Sequence, residues 1–328
     1  MDITWHKKFA QAWQDRIRHG RMPHAVLLAG PVGVGKRAAA AWIASSRLGI
    51  GDAPSLPQYP FTRPEYADLQ WLDPPADKQG ILIEQVRELV SNLQLTSYEG
   101  RGKVAVIEPA NSMTTSAANS LLKTLEEPPG DALLILVADR IGRLPATVFS
   151  RCQRIDFAPP AESEGFAWLD RLQPGGRWAE ALRVAGNAPL AAIEALESLD
   201  TLATMSREFA AVGAGKLSPI EVAERWSKLE PNFVLDWLAR QLRQAALALA
   251  GGRDRAPGLT IDETVLRRMD RRNLFCYLDR INRLRGQPKG SYNLQLTLES
   301  LLIDWAEGLA EAVSDVYAGG LRLMRAQR

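Results

Sequence analysis

A glycine-rich turn near the amino terminus has the residue types needed to hold a phosphate group. Its motif residues come after an apolar run and before an alanine-rich stretch: Gly30, Gly33, Gly35 and Lys36. In the phosphate-loop pattern G-x-x-x-x-G-K-[ST], the glycines let backbone N–H groups surround a phosphate and the lysine contacts the outer phosphates. The last position here is Arg37, where a serine or threonine hydroxyl would hold Mg²⁺. We therefore expect a phosphate-loop fold with impaired Mg-nucleotide hydrolysis.

The acidic motif that such a site needs is altered as well. An active site of this type has an apolar strand that ends in Asp-Glu, the first for the metal shell and the second to orient the attacking water. Here the apolar run 104–107 is followed by Glu108 and Pro109. Glu108 can replace the aspartate with a longer side chain, but Pro109 has no polar group to activate water. Two interpretations stay open: a loop that holds at most an anion, and a site that retains a nucleotide without turnover.

Short apolar runs alternate with helical patterns in the first half of the chain, and these elements must position both motifs. Strands are predicted at 25–29, 69–72, 104–107, 133–137 and 154–157. Helices are predicted at 37–48, 83–93 and 114–127. Strands that alternate with helices pair in parallel, so we expect an α/β sheet covered on both faces. The proline-containing stretch 49–68 is predicted to be an irregular loop.

The strand signal stops after residue 160, and the rest of the chain is predicted to be all-α. Residues 161–205 favour short helices broken by glycine and proline, and the pattern is helical from about Arg207. The last helix has one apolar stripe, formed by Leu298, Leu302, Trp305, Leu309, Val313 and Val316. The sequence thus predicts three domains, at 1–160, 161–206 and 207–328.

Composition excludes several classes of protein. Of 328 residues, 46% are apolar and 24% charged, and 40 basic against 38 acidic residues give a net charge of +2, which argues against disorder and against a surface-wide polyanion-binding field. Two cysteines are too few for a disulfide framework. Apolar runs are too short to cross a bilayer, and the first residues lack a signal-peptide core. We expect a cytoplasmic protein.

Two longer motifs resemble those of one protein family. The segment Asn119–Pro129 is very similar to the N-x-L-L-K-x-L-E-E-P-P segment of bacterial sliding-clamp loaders. The segment Leu144–Gln153, which contains Ser150, Arg151 and Cys152, resembles the L-P-x-T-x-x-S-R-C-Q signature of the same family. The resemblance implies an AAA+ domain with a RecA-like parallel sheet, a small helical lid domain, and a C-terminal helical collar that joins subunits.

Within that family, the altered motifs resemble the delta-prime subunits of DNA polymerase III, whose own nucleotide site is degenerate, rather than the ATP-hydrolysing tau/gamma subunits. The resemblance implies an accessory subunit without intrinsic activity or required cofactor. It would assemble with tau/gamma and delta, and would meet the sliding clamp and primer-template DNA through that complex. Arg151 would be an arginine finger that acts in trans on the ATP of a neighbouring subunit.

Two features depart from that family's pattern. Those proteins usually carry a four-cysteine zinc site after the first helix, but the stretch 49–68 has neither cysteine nor histidine. A closed zinc site needs four such ligands, so we expect no zinc. Leu190 stands where a nucleotide-contacting lid arginine would be expected.

Other readings of the sequence are an autonomous ATPase and a DNA-binding module. Arg37 and Pro109 argue against the first. The second would use basic runs in the C-terminal half, at Arg267, Arg268, Arg271, Arg272, Arg280, Arg283 and Arg285. On a helix such runs are usually a solvated face or a partner contact. Polymerase activity in the chain itself is excluded, because no suitable pair of metal-binding carboxylates is found.

Two residue types that often do chemistry have plainer interpretations here. Cys152 has no histidine near it in sequence and is predicted to be a small core residue rather than a nucleophile. No cysteine or carboxylate cluster accompanies His6, His19 and His24, so surface or capping roles are expected for these histidines.

Overall fold

The computed structural model describes residues 1–51, 54–75, 80–139, 144–251, 261, 265–266, 271–287 and 291–309. The chain forms two compact units, Met1–Leu196 and Glu197–Arg328. The division into three domains at residues 160 and 206 remains a prediction. In the part of the chain that the structure describes, no helix is both long enough and apolar enough to cross a bilayer.

The first unit is built on a five-stranded sheet in the order β2-β3-β4-β1-β5, with all pairs parallel. The strands are β1 (Ala25–Ala29), β2 (Leu69–Leu72), β3 (Val104–Ile107), β4 (Leu133–Ala138) and β5 (Gln153–Asp156). The predicted α/β sheet is confirmed. Three strand boundaries are corrected by one residue: β4 continues to Ala138, and β5 begins at Gln153, which pairs with Val26, and ends at Asp156.

Eight α-helices of the described residues belong to this unit, the last of them ending one residue beyond its boundary. They are α1 (Lys7–Arg18), α2 (Lys36–Leu48), α3 (Ile83–Leu93), α4 (Thr115–Glu126), α5 (Ala146–Phe149), α6 (Glu162–Leu172), α7 (Trp178–Val184) and α8 (Pro189–Glu197). The predicted end of α2 at Leu48 is confirmed and its start lies one residue earlier, whereas α4 is one residue shorter at each end than predicted. Thr114 caps α4 by accepting the backbone N–H of Ala117, so it lies just outside the helix.

The sheet is buried on both faces, which explains its continuous apolar strands. One core layer places Leu27 and Leu136 against α3 and α4. The other places Val26 and Leu28 against α1 and α2. The carboxyl ends of β1, β3 and β4 therefore meet at one edge of a rigid platform.

In the described residues of the second unit, the regular secondary structure is helical and short turns join the helices. Its helices are α9 (Leu199–Gly213), α10 (Pro219–Trp226), α11 (Pro231–Gly251), α12 (Arg271–Leu284) and α13 (Leu294–Ala306). In its core Phe209 stacks on Trp305 with ring centres 4.0 Å apart, and both Trp226 and Trp237 pack edge-on or tilted against Phe209.

The predicted stripe of the last helix needs one correction. The helix ends at Ala306, because Gly308 and Leu309 turn into the left-handed region with φ of 69° and 61°. Leu309 is nevertheless fully buried. Val313 and Val316 lie outside the described residues.

Candidate functional site

The phosphate loop joins β1 to α2 at the carboxyl edge of the sheet. Gly33 has a φ of 83°, and a Cβ there would lie 2.4 Å from the backbone nitrogen of Ala191. The backbone N–H of Leu190 donates to the carbonyl of Gly33 at 3.0 Å. Only glycine tolerates both this backbone conformation and this close approach. The first turn of α8, which carries Leu190, is therefore packed directly on the loop.

Lys36 is bound to the chain's own acceptors. Its side chain is 4% exposed, and its Nζ donates to the carbonyls of Gly30 (2.8 Å) and Pro31 (2.6 Å) and to Oδ1 of Asp139 (2.8 Å). An ammonium group has three N–H donors, and these three acceptors match all of them. Asp139 follows β4 directly and belongs to none of the motifs recognised in the sequence. The only sequence signal for it is a polar residue at the carboxyl end of an apolar strand.

Arg37 contacts the carboxylate of the altered acidic motif. Its Nε lies 2.5 Å from Oε1 of Glu108, whose side chain is 10% exposed. The indole N–H of Trp71 donates to the other oxygen of Glu108 at 3.2 Å, and the Arg37 guanidinium lies over the ring of Phe61 at 5.4 Å. Burial raises the pKa of Glu108 above its ordinary value, and Arg37 opposes that shift. The position expected to ligate a metal thus holds a carboxylate neutralised by an internal cation.

The charges at this edge of the sheet balance. Lys36 pairs with Asp139 and Arg37 pairs with Glu108, so two positive and two negative side chains sum to zero. A triphosphate would have to break the Lys36 contacts before it could use that cation.

The amino-terminal segment covers the other side of the phosphate loop. The carbonyl of Val34 accepts hydrogen bonds from the ring nitrogens of Trp5 (2.9 Å) and His6 (2.8 Å). Burial lowers the pKa of His6 to about 4, so the ring is neutral at pH 7. The predicted surface or capping role is wrong for His6, which is 2% exposed because α1 brings it beneath the loop.

The other two histidines contact the ends of helices, as predicted. His19 is exposed and its Nδ1 contacts the carbonyl of Asp15 at the end of α1. His24 is exposed and its Nε2 contacts the carbonyl of Leu125 in the last turn of α4. The capping interpretation of these two residues is confirmed.

Arg151 lies just beyond the short helix α5. Its Nε and Nη2 contact Oε1 of Glu126 at 2.7 and 2.5 Å, and its Nη1 donates to the carbonyl of Thr147 at 2.9 Å. The side chain remains 34% exposed. The two clamp-loader-like segments are thus joined in space by this ion pair, which no sequence pattern predicts.

Ser150 and Cys152 flank the arginine and have local roles. The Ser150 hydroxyl donates to the carbonyl of Thr147 at 3.2 Å. Cys152 packs against the apolar core, and burial raises the pKa of its thiol to about 11. The interpretation of Cys152 as a small core residue is confirmed.

Metal ligands do not gather in the described parts of the chain: no group of three or more His, Cys, Asp or Glu side chains there could hold an ion. The described residues of the 49–68 stretch form an irregular loop, and Gln58 makes a single bridge to Asp2. The absence of zinc remains a prediction.

Comparisons with known proteins relate this chain to subunits of DNA polymerase III. A family model described as "DNA polymerase III, delta subunit" matches residues 5–161. DNA polymerase III subunit delta' of Pseudomonas aeruginosa is 29% identical over 323 residues, covering 90% of this chain and 95% of the relative. The Escherichia coli subunit delta' is 37% identical over 134 residues, 40% of this chain and 39% of that protein. DNA polymerase III subunit gamma of Buchnera aphidicola is 31% identical over 182 residues, 53% of this chain and 49% of the relative.

Proposed function

The chain belongs to the family of DNA polymerase III delta' clamp-loader subunits, and we propose that it is an ATPase-deficient stator of the clamp loader. In this role it hydrolyses no ATP itself. It completes the nucleotide site of a neighbouring motor subunit with Arg151, and it holds that subunit in place during DNA replication.

A contrast between two cations carries the proposal. Lys36, in the chain's own phosphate loop, is 4% exposed and bonded to three internal acceptors, whereas Arg151 is 34% exposed. The first is unavailable to a nucleotide unless the loop rearranges, and the second is available to a neighbour. In this proposal, the cation that supports catalysis is therefore Arg151, and it acts on the nucleotide of a neighbouring subunit.

The loss of hydrolysis has three physical causes at the chain's own site. Arg37 replaces the hydroxyl that holds Mg²⁺, Pro109 replaces the carboxylate that orients water, and Asp139 neutralises Lys36. Phosphoryl transfer depends on positioning and on stabilising the charge of the transition state, so each loss acts on the chemical step. No cofactor is needed for the proposed role.

Arg151 suits an arginine finger because a guanidinium stays charged and can bond two phosphate oxygens at once. In-trans arginine fingers accelerate hydrolysis by factors of roughly 10³–10⁵. Clamp loaders place their nucleotide sites at subunit interfaces, so the ATP that Arg151 serves would be bound by a tau/gamma-type motor subunit. The other proposed partners are delta, the sliding clamp and primer-template DNA, the last two reached through the complex.

Steady-state ATPase assays test the two parts of this proposal. The isolated chain should turn over ATP no faster than its Lys36→Ala variant. The assembled complex should lose the part of its clamp- and DNA-stimulated turnover that depends on this chain when it contains Arg151→Ala, with assembly checked by size-exclusion chromatography. Turnover by the isolated chain that disappears in Lys36→Ala would instead identify an autonomous ATPase.

The contacts of the C-terminal arginines give no support to direct DNA recognition. Arg280 pairs with Asp304, Arg283 with Asp279, and Arg285 with Asp236. Each cation already has a carboxylate partner, as expected for a solvated or packed helix face. Arg267 and Arg268 lie outside the described residues.

A further inference from the structure

The finger arginine is held by a carboxylate from another element. Glu126 is the last residue of α4, and its Oε1 accepts from both Nε and Nη2 of Arg151. Nη1 contacts the Thr147 carbonyl and, at 3.4 Å, the Ser150 hydroxyl. A guanidinium has five N–H groups, and these contacts engage four of them. The side chain is thus fixed in direction while an N–H group and one third of its surface remain available.

The place of Glu126 in the helix is unfavourable for a carboxylate by itself. The C-terminal end of a helix carries partial negative charge, which disfavours an anion and favours a cation. Glu126 ends α4 shortly before Pro128 and Pro129. The ion pair with the guanidinium of Arg151 best explains a glutamate at this position.

We propose that Glu126 is a positioning residue for Arg151, which holds the guanidinium in the orientation that the neighbour's nucleotide requires. This inference rests on the proposed finger role. An arginine side chain loses considerable rotamer freedom when it docks on phosphate, and a side chain ordered beforehand loses less. Nη2 keeps one N–H group free for a first phosphate contact, and the other N–H groups can exchange their contacts for phosphate oxygens.

The strength of the Arg151–Glu126 ion pair determines whether Glu126 orients the arginine or keeps it from binding phosphate. The side chains of Arg151 and Glu126 are 34% and 51% exposed, and exposed ion pairs are weak because water screens them. A polyphosphate carries several negative charges, so one exposed carboxylate cannot prevent the ordered guanidinium from bonding phosphate oxygens. The pair therefore orients the finger and does not withhold it.

Replacement of Glu126 in the assembled clamp loader tests the proposal. The part of the clamp- and DNA-stimulated ATPase that depends on Arg151 should show a kcat reduced 3- to 10-fold in Glu126→Ala with an unchanged KM, because the finger acts mainly in the transition state. Glu126→Gln, which keeps one acceptor oxygen, should lie between wild type and Glu126→Ala. Glu127→Ala removes the adjacent exposed carboxylate and should behave as wild type.

The double variant separates positioning from a general structural effect. With Arg151→Ala already present, Glu126→Ala should reduce kcat no further, since there is no finger left to position. Additive losses, an unchanged kcat, or faster turnover in Glu126→Ala would each overturn the inference. Normal turnover in Arg151→Ala would instead overturn the finger role itself, so the two failures are distinguishable.

Discussion

Replacing Arg37 by methionine should destabilise the first unit, because it leaves the carboxylate of Glu108 without its cation. Methionine keeps an apolar side chain of similar reach over the ring of Phe61 and removes only the charge and the N–H donors. Glu108 would retain one hydrogen bond, from the indole of Trp71. The perturbation therefore isolates the internal ion pair of the altered nucleotide site.

The magnitude follows from the burial of the two partners. Removing one partner of a fully buried pair costs about 3–5 kcal/mol. Glu108 is 8% exposed, but the Arg37 side chain is 59% exposed, so water can partly replace the lost cation. We expect a loss of about 1–2 kcal/mol at pH 7 after this discount. For a unit of this size that corresponds to a midpoint lowered by roughly 2–8 °C.

The loss should depend on pH with a defined sign. Burial raises the pKa of Glu108 above its ordinary value of 4.5, and Arg37 limits the rise. A carboxyl group with a raised folded-state pKa reduces stability as pH increases from the unfolded-state value through the folded-state value. Without Arg37 the pKa rises further, so the difference between variant and wild type should be small near pH 4 and should grow toward pH 7.

Thermal and urea unfolding of the full chain at pH 4, 5.5 and 7 provide the measurement. Arg63→Met is a matched control, because Arg63 also lies over an aromatic ring, that of Trp71, but pairs with the half-exposed Asp73. Its effect should be below about 0.5 kcal/mol. Equal stability of Arg37→Met and wild type at pH 7, or a loss that does not vary with pH, would refute the reasoning.

Three further predictions concern the same unit. Wild type should lose roughly 3 kcal/mol of stability as pH falls from 6.5 to 4, because the buried ring of His6 has a pKa of about 4 and must be protonated, and His6→Phe should not show this loss. Unfolding midpoints that fall in parallel for both proteins would contradict this. Asp139→Asn should tighten tripolyphosphate binding by at least about tenfold in calorimetry, and added Lys36→Ala should abolish the gain; unchanged affinity would argue against Asp139 as the competing anion. Iodoacetamide should alkylate Cys152 roughly 100-fold more slowly in the native than in the unfolded chain at pH 8, and equal rates would rule out the buried thiol.

Local signals in the sequence predict the sheet and the phosphate loop well. Apolar runs fix the strands, and Pro128 fixes the end of α4, because these features act on their own neighbourhood. The contacts that decide the chemistry are not local. Asp139 reaches Lys36 only because β4 lies beside β1, and Glu126 reaches Arg151 only because α4 and α5 meet. Such partners follow from the tertiary fold, and no pattern of spacing contains them.

The burial of His6 also depends on the tertiary fold and could not be predicted from the local sequence. A lone histidine near the amino terminus is usually exposed, and α1 has no strong apolar run to predict it. In the structure Ala10 and Trp13 bury α1 against the sheet and draw His6 beneath the phosphate loop. Packing of one helix therefore changes a predicted surface residue into a buried, neutral ring.

Single-turnover ATP hydrolysis by the assembled clamp loader tests the central claim most directly. The comparison is between complexes containing wild-type chain, Arg151→Lys and Arg151→Ala, all with clamp and primer-template DNA present. In Arg151→Ala we expect loss of the hydrolysis phase that depends on this chain. Arg151→Lys should restore that phase only in part, because the ammonium group of lysine is a point charge without the planar fork of a guanidinium. The remaining nucleotide sites of the complex should continue to turn over. An unaltered hydrolysis time course in a correctly assembled Arg151→Ala complex would contradict the account.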